Sequence, residues 1–584
     1  MNKKSTKKGS PSLIKETVSA QNVRKAANSN HTSSKSLYEF LEDHFALKRN
    51  GYLTFLVLLT GALSFACFDN KISTANDDAL YIESGASYAK HFFSYFYLAN
   101  APLYPMVLGL LIKIVGVRLF LLKVFSVICF CLAIIFIFKA FEKRIPYILL
   151  VPSLLLTSIN FPYLMYASLT YTETFSLMVF GICFMFIFPI LDQLEDIEKT
   201  FKQNVGATIL LGFLVFLMMI TRNVALAAIG VVVIFLIYRK KYLAATTSSL
   251  SFGFFYIVYK LALKFIWKID GSQFASQGKL MLQKDAYQPQ LGNETLWGFV
   301  IRFWDNCQIY ISSRLYYVLG MREEMTPNNL SLTLFSIGLI IWSIVLMHRK
   351  KQYYLLFTTL FFCVLLGTTF ITLHTSWGQT RLIMIFLPFI LFSVFYIFFH
   401  YGNQFTFLQV AYPFLFFFLF FTSISVTLRE AKNRLPVFIE NITGDPTYGY
   451  TPDWQNYIKM TQWCAENLSN ETIAVRKAPM SFIFSNGKEF YPIYSTPTEN
   501  ADSLLMPLRA NKVNYIMLPE LRLDPSRYLE NQFIGTMHRY AGYIARQYGD
   551  RAFAFIHREG ELEKSLLYKI NYAYIDSVRA TKPK

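Results

Sequence analysis

The feature that most restricts this chain is a succession of apolar runs, each near the length of a bilayer-crossing helix and separated by short polar or basic stretches. A helix needs about 20 apolar residues to cross the hydrocarbon core. Eleven runs meet or approach that length, at 52–68, 118–138, 146–165, 171–190, 205–221, 223–238, 242–267, 330–347, 353–373, 382–399 and 405–427. Composition points the same way: 54% of the 584 residues are hydrophobic and 16% are charged, against about 25% charged in soluble domains. A soluble chain this apolar has to expose large greasy patches, which soluble proteins avoid. The sequence therefore reads as an α-helical polytopic membrane protein with eleven spans.

Charge fixes the orientation. Residues 1–50 are polar and basic, hold no apolar signal core, and read as a disordered cytoplasmic tail. The run 103–117 is too short to cross comfortably and carries Lys113, so it reads as a helix lying in the interface. The basic clusters at 139–144, 239–241 and 348–351 then all fall in the cytoplasm, as the positive-inside rule asks. If 103–117 crossed, all three would move outside. A transmembrane domain over 51–427 follows, with a first external loop at 69–117 and a large one at 268–329. Residues 428–584 form an extracytoplasmic domain. There the short apolar runs 472–475, 481–484 and 515–518 read as strands between helices, an α/β arrangement.

Several functions are excluded at this stage. The net charge of +19 sits at the N-terminus and between spans, where it encodes topology and not nucleic-acid binding. The seven cysteines form no CxxC pair or metal-ligand spacing. No Gly-rich phosphate loop and no His-Glu-x-x-His is present. No cofactor is required by these residues, though oxygen ligands leave a divalent ion open.

The first external loop carries the most chemistry. It reads Asn76-Asp77-Asp78-Ala79-Leu80-Tyr81, with Gly85 and Tyr88 following at helical spacing. A carboxylate at the mouth of an apolar groove is a candidate general base, since low polarity raises its pKa; an Asp pair before a helix is equally a cap. The loop continues through Asn100-Ala101-Pro102-Leu103-Tyr104-Pro105 into the interfacial helix. Glu173 stands at a membrane boundary, where charge is costly, or where it complements a helix start. Arg222 falls at an external turn, and His374 and Arg381 at the external ends of later spans.

An acidic pair, a Tyr three residues on and a Pro-Leu-Tyr-Pro entry to an amphipathic helix resemble the GT-C membrane glycosyltransferases. More narrowly, they are similar to the protein O-mannosyltransferase and lipid A aminoarabinose transferase group. The resemblance implies transfer of a sugar from a polyprenyl phosphate to an acceptor outside the cytoplasm, whether glycolipid, lipopolysaccharide, polymer or protein. The compartment on that side is the periplasm in a bacterium or the ER lumen in a eukaryote, and the short loops favour a bacterial inner membrane with a periplasmic active site. Asp77 takes the catalytic position with Asp78 beside it, and Glu173 the second acidic position. Arg222, Arg381 and His374 face the donor phosphate, while Tyr81, Asn100 and Tyr104 line the donor and acceptor groove. One departure matters: the aminoarabinose transferases have Glu-Lys where this chain has Asn100 and Ala101, which argues for a different sugar. Aromatic residues of the 268–329 loop, Trp297 and Trp304 among them, suit either a sugar or an interfacial belt.

Two other classes stand beside this reading. A transporter or flippase of lipid-linked sugars calls for charges buried mid-span and for paired halves. Here charges gather at span ends and no halves repeat. A non-catalytic scaffold with an external binding domain is the other.

Overall fold

The computed structural model describes residues 36–74, 77–195, 201–269, 278, 280–285 and 291–581. Most of the basic tail lies outside them, but its end is ordered. Leu37–Leu47 is a helix closed by a capping box, in which Ser36 accepts from the Glu39 amide and the Glu39 carboxylate accepts from the Ser36 amide. Disorder through residue 50 is thus corrected: Ser-x-x-Glu before an apolar turn is a helix start.

The chain forms two compact units. The first comprises residues up to Phe68, Phe92–Tyr104 and Val124–Lys432. Among the described residues it holds most of the six helices long and apolar enough to cross a membrane: Leu119–Phe141, Thr172–Glu195, Gln203–Thr221, Leu330–Arg349, Tyr353–Thr372 and Ala411–Thr443. The outermost residues of the first and last of these belong to the second unit. A seventh span exists if Tyr147–Ser158 and Phe161–Ala167 count as one, bent by 59°. Asn160 makes that bend by capping the second piece through the Tyr163 amide, with Pro162 in its first turn. The other four apolar runs are helical without passing the same length and composition test. Arg49–Ala66 starts on Arg-Asn-Gly, Asn223–Tyr238 is short and opens as a 3-10 turn, Tyr242–Phe265 is rich in Ser and Thr, and Leu387–Gln404 ends on His-Tyr-Gly-Asn-Gln. These properties make the chain an integral membrane protein; the count of eleven is not reached on length and composition.

The second unit comprises Asp69–His91, Pro105–Lys123 and Asn433–Lys584. It cuts across the segments drawn from sequence, because the acidic helix Asp77–His91 shares a unit with the C-terminal domain. Five strands build a mixed sheet in the order β2-β1-β3-β5-β4, with β1 Thr472–Val475, β2 Tyr491–Pro492, β3 Val513–Pro519, β4 Phe553–Glu559 and β5 Ser565–Ile570. β1 runs parallel to β2 and β3, while β5 is antiparallel to β3 and β4. Ala474 and Ile516 of the sheet are enclosed with Leu504, Leu508 and Ile544 of the covering helices. The α/β expectation holds in this sheet, with one correction. Residues 481–484 are the end of the helix Ala478–Phe484, started by Pro479 in its first turn, and not a strand. A four-residue apolar run has too few positions to tell the two periods apart.

The Asp77–His91 helix crosses the Leu103–Val115 helix at a point made by two glycines. A Cβ on Gly109 would stand 2.7 Å from the Tyr88 Cβ and 3.0 Å from the Gly85 carbonyl oxygen. A Cβ on Gly85 would meet the Leu108 Cβ at 3.0 Å. Only residues without side chains allow this approach.

Candidate active site

The acidic pair divides into two environments. Asp78 has no exposed surface. Its Oδ2 accepts from the Ser73 amide at 2.9 Å, and its Oδ1 accepts from the Ser73 hydroxyl at 2.9 Å and the Ala79 amide at 3.0 Å. Burial pushes its pKa above the ordinary carboxylate range, while the Lys123 charge and these donors pull it back. Asp77, one residue earlier at the helix start, keeps partial exposure and lies in the electrostatic field of Lys477. A helix N-terminus favours a carboxylate at that position. The resemblance puts Asp77 in the catalytic position with Asp78 beside it; of the two, Asp78 is the sealed carboxylate, its oxygens taken by three donors.

The strap from Asp69 to Thr74, leading into this helix, is pinned by cations and a phenol. The fully buried Lys123 donates to the carbonyls of Asp69, at 2.7 Å, and Lys71. Arg434 donates to the Asp69 carboxylate at 3.3 Å, Tyr450 to the Ile72 carbonyl at 2.8 Å and Lys477 to the Thr74 carbonyl at 2.8 Å. One and a half turns along the helix, Glu83 is pushed up to about 7 by burial and by the neighbouring Glu489. Tyr81 is buried on the same helix.

The first unit gathers a second charged cluster. Glu173 is 2% exposed and its Oε1 accepts from Nη1 of Arg222 at 3.3 Å, with Nε of Arg381 at 4.0 Å. Its Oε2 is enclosed without a hydrogen-bond donor. Arg222 also reaches the Thr172 hydroxyl at 3.4 Å. Arg381 donates to the Gln379 side chain at 2.6 Å and lies over the Tyr171 ring, 5.0 Å from its centroid. A carboxylate between two guanidiniums explains how charge is tolerated at this depth, since an unpaired buried charge is strongly unfavourable.

Three further residues of the expected groove and phosphate site have these surroundings. His374 is 4% exposed, bonds the Leu280 carbonyl through Nε2 at 2.8 Å and packs edge-on against Trp377. That ring is committed to packing. Tyr104 is completely buried against Phe175, its hydroxyl 3.4 Å from that of Ser126, so it belongs to the interior and not to a groove wall. Asn100 is exposed. Trp297 is 70% exposed beside exposed Leu296 and Val300 on the helix Leu296–Cys307, an apolar face suited to the membrane interface.

Sequence reasoning missed Lys123, Lys477 and Glu83. A lysine within 23 mostly apolar residues is the one of these that carried a signal, because a charge inside a span is rarely without a role. Among the described residues no group of three His, Cys, Asp or Glu side chains gathers to hold a metal.

No family model matches this sequence, and no curated protein does. Solved structures do. The oligosaccharyltransferase of Archaeoglobus fulgidus, tethered to an acceptor peptide containing the NVT sequon, aligns at a TM-score of 0.51 and 9% identity over 81% of this chain and 69% of that one. The same enzyme, AglB, with an inhibitory peptide and dolichol-phosphate, aligns at 0.48 and 10% identity over 81% and 70%. ArnT from Cupriavidus metallidurans, bound to undecaprenyl phosphate, aligns at 0.49 and 10% identity over 91% and 99%. The fold of this chain is accordingly that of the Archaeoglobus fulgidus oligosaccharyltransferase.

Proposed function

We propose that this protein is a membrane glycosyltransferase that moves a sugar from a polyprenyl-phosphate donor to an acceptor on the extracytoplasmic side. The observation that carries the reading is the partly exposed Asp77, opening a helix that buried Asp78 fixes in place, within a chain of oligosaccharyltransferase fold. Asp77 takes the proton from an acceptor hydroxyl as that oxygen attacks the anomeric carbon. Asp78 is a positioning residue. The bond to the phosphate breaks as the new glycosidic bond forms, inverting the anomeric centre. The lipid phosphate leaves already ionised, so positive charge serves it better than a proton. Arg222 and Arg381 belong to a cluster whose two cations exceed its one carboxylate.

The site faces the periplasm of a bacterial inner membrane, in an eleven-span topology with the basic N-terminus in the cytoplasm. Glycolipid, lipopolysaccharide, polymer and protein are the acceptor classes that fit; a second reading, flipping of lipid-linked sugar, makes no use of Asp77. The test is transfer from radiolabelled undecaprenyl-phosphate sugars by the purified chain in nanodiscs, paired with mass spectrometry of envelope glycolipids from cells with and without it. Asp77→Asn should abolish transfer while leaving insertion and melting unchanged. Normal turnover by that variant removes Asp77 from the mechanism.

A further inference from the structure

A third arginine, outside both clusters, has its guanidinium in an unusual state. Residues 308–314 form a π-helical turn ending on Arg314. Nε and Nη1 of Arg314 are enclosed and meet no hydrogen-bond acceptor, and Nη2 reaches only the Met325 sulfur at 3.9 Å. An enclosed guanidinium without acceptors is costly. Natural proteins tolerate such a group where a ligand completes it. Other arginines nearby are satisfied: Arg322 bonds the carbonyls of Ser312 and Pro327, and Arg302 bonds two carbonyls and Glu294.

Arg314 lines a cavity of about 490 Å³, within the range of small-molecule sites. Its polar lining includes Ser313, Thr326, Asn328, Ser376 and Gln379, all neutral hydroxyls and amides. Among the described residues no carboxylate lines it. Residue 378 forms one wall beside the guanidinium: a Cβ there would stand 3.6 Å from Nη2, in van der Waals contact, and 3.3 Å from Ile309. A lone cation among neutral donors selects an oxyanion, and a planar guanidinium fork suits phosphate oxygens in particular. Arg222 and Arg381, by contrast, already share the Glu173 carboxylate.

We infer that the Arg314 cavity is a phosphate-binding subsite and holds the phosphate of the lipid-linked donor. The identity of the ligand rests on the glycosyltransferase reading; the sign and shape of the subsite do not. Ser376 and Gln379 supply neutral hydrogen bonds to the remaining phosphate oxygens, and the rest of the cavity leaves room for the first sugar.

The experiment uses the full chain in nanodiscs and follows inorganic phosphate by ³¹P NMR line broadening at constant ionic strength. Arg314→Gln should weaken phosphate by about 10- to 100-fold, the value of a charge-assisted bidentate contact. Arg314→Lys should fall between the two, and Gly378→Val, which fills the cavity and keeps the cation, should weaken it as well. Nanodiscs containing undecaprenyl phosphate should displace inorganic phosphate, whereas phosphatidylglycerol nanodiscs should not. Wild-type phosphate affinity in folded Arg314→Gln overturns the subsite. Arg314-dependent phosphate binding that undecaprenyl phosphate does not displace overturns the donor assignment. Sugar transfer is measured on the same wild-type preparation: turnover with an Arg314-independent phosphate response sinks this inference alone, whereas absent turnover sinks the glycosyltransferase reading and leaves the phosphate titration to judge the subsite.

Discussion

Nη1 of Arg222 stands 3.3 Å from Oε1 of Glu173, a carboxylate whose side chain is 2% exposed. With Arg381 at 4.0 Å on the same oxygen, this is one anion shared by two cations. Breaking a buried ion pair costs about 3–5 kcal/mol because it strands the remaining charge. Glu173→Ala strands two guanidiniums and should lower stability by about that amount, read as detergent melting. Arg222→Leu leaves Glu173 with Arg381 and should cost less. Equal melting of Glu173→Ala and wild type removes the structural role of the pair.

Asp77 and Asp78 differ in what their carboxylates do. Asp78→Asn places an amide NH₂ against at least one of the Ser73 and Ala79 donors and removes one of the two carboxylates, with Asp69, whose charge acts on the buried Lys123. It should destabilise the chain by about 1–3 kcal/mol and lower transfer through displacement of the strap. Asp77→Asn should leave melting within about 0.5 kcal/mol, as surface substitutions do. The contrast between the two melting curves checks the division of roles; equal curves refute it.

How much of this was legible beforehand follows from the physics of each signal. The apolar runs were, because hydrocarbon imposes a length and a polarity on every crossing segment. Thr472–Val475 and the strand through Tyr515–Leu518 were, since β-branched and aromatic residues cluster there. The helix at Ala478–Phe484 was not, for lack of length. The burial of Asp78 and the partial exposure of Asp77 were not separable: adjacent helical residues point about 100° apart, but sequence does not say which direction is inward. His374 and Tyr104 carry the residue types of a site, yet packing decided their use. Arg314 had no periodic signature, as it closes a π-helical turn.

Glu83 makes stability depend on pH. Burial and Glu489 raise its folded pKa to about 7 from an ordinary 4.5. A raised carboxyl pKa means the folded chain binds more protons than the unfolded chain between those values, so stability falls as pH rises through that window. The penalty is complete above about 7 and absent below about 4.5. Glu83→Gln should therefore stabilise the chain at pH 8 by on the order of 1–3 kcal/mol and change nothing at pH 4.5. Melting at the two pH values decides it: a pH-independent difference excludes titration of Glu83.

The two glycines of the helix crossing should respond unequally. A methyl on Gly109 meets the Tyr88 Cβ at 2.7 Å and a backbone oxygen at 3.0 Å, neither of which can rotate away. A methyl on Gly85 meets the Leu108 Cβ at 3.0 Å, the Ile112 Cδ1 at 3.1 Å and the Gly109 nitrogen at 3.3 Å; the isoleucine end can turn aside, and the other two contacts are looser than the closest one at Gly109. Overpacking a close contact costs about 1–3 kcal/mol, partly offset by the better helix propensity of alanine, about 1 kcal/mol. Both variants should be destabilised, Gly109→Ala the more strongly. Because the displaced helix is the one that begins at Asp77, Gly109→Ala should also reduce sugar transfer more than its melting change accounts for at the assay temperature. Melting and turnover measured together on both variants test this order, and a Gly85→Ala chain less stable than Gly109→Ala contradicts the geometry of the crossing.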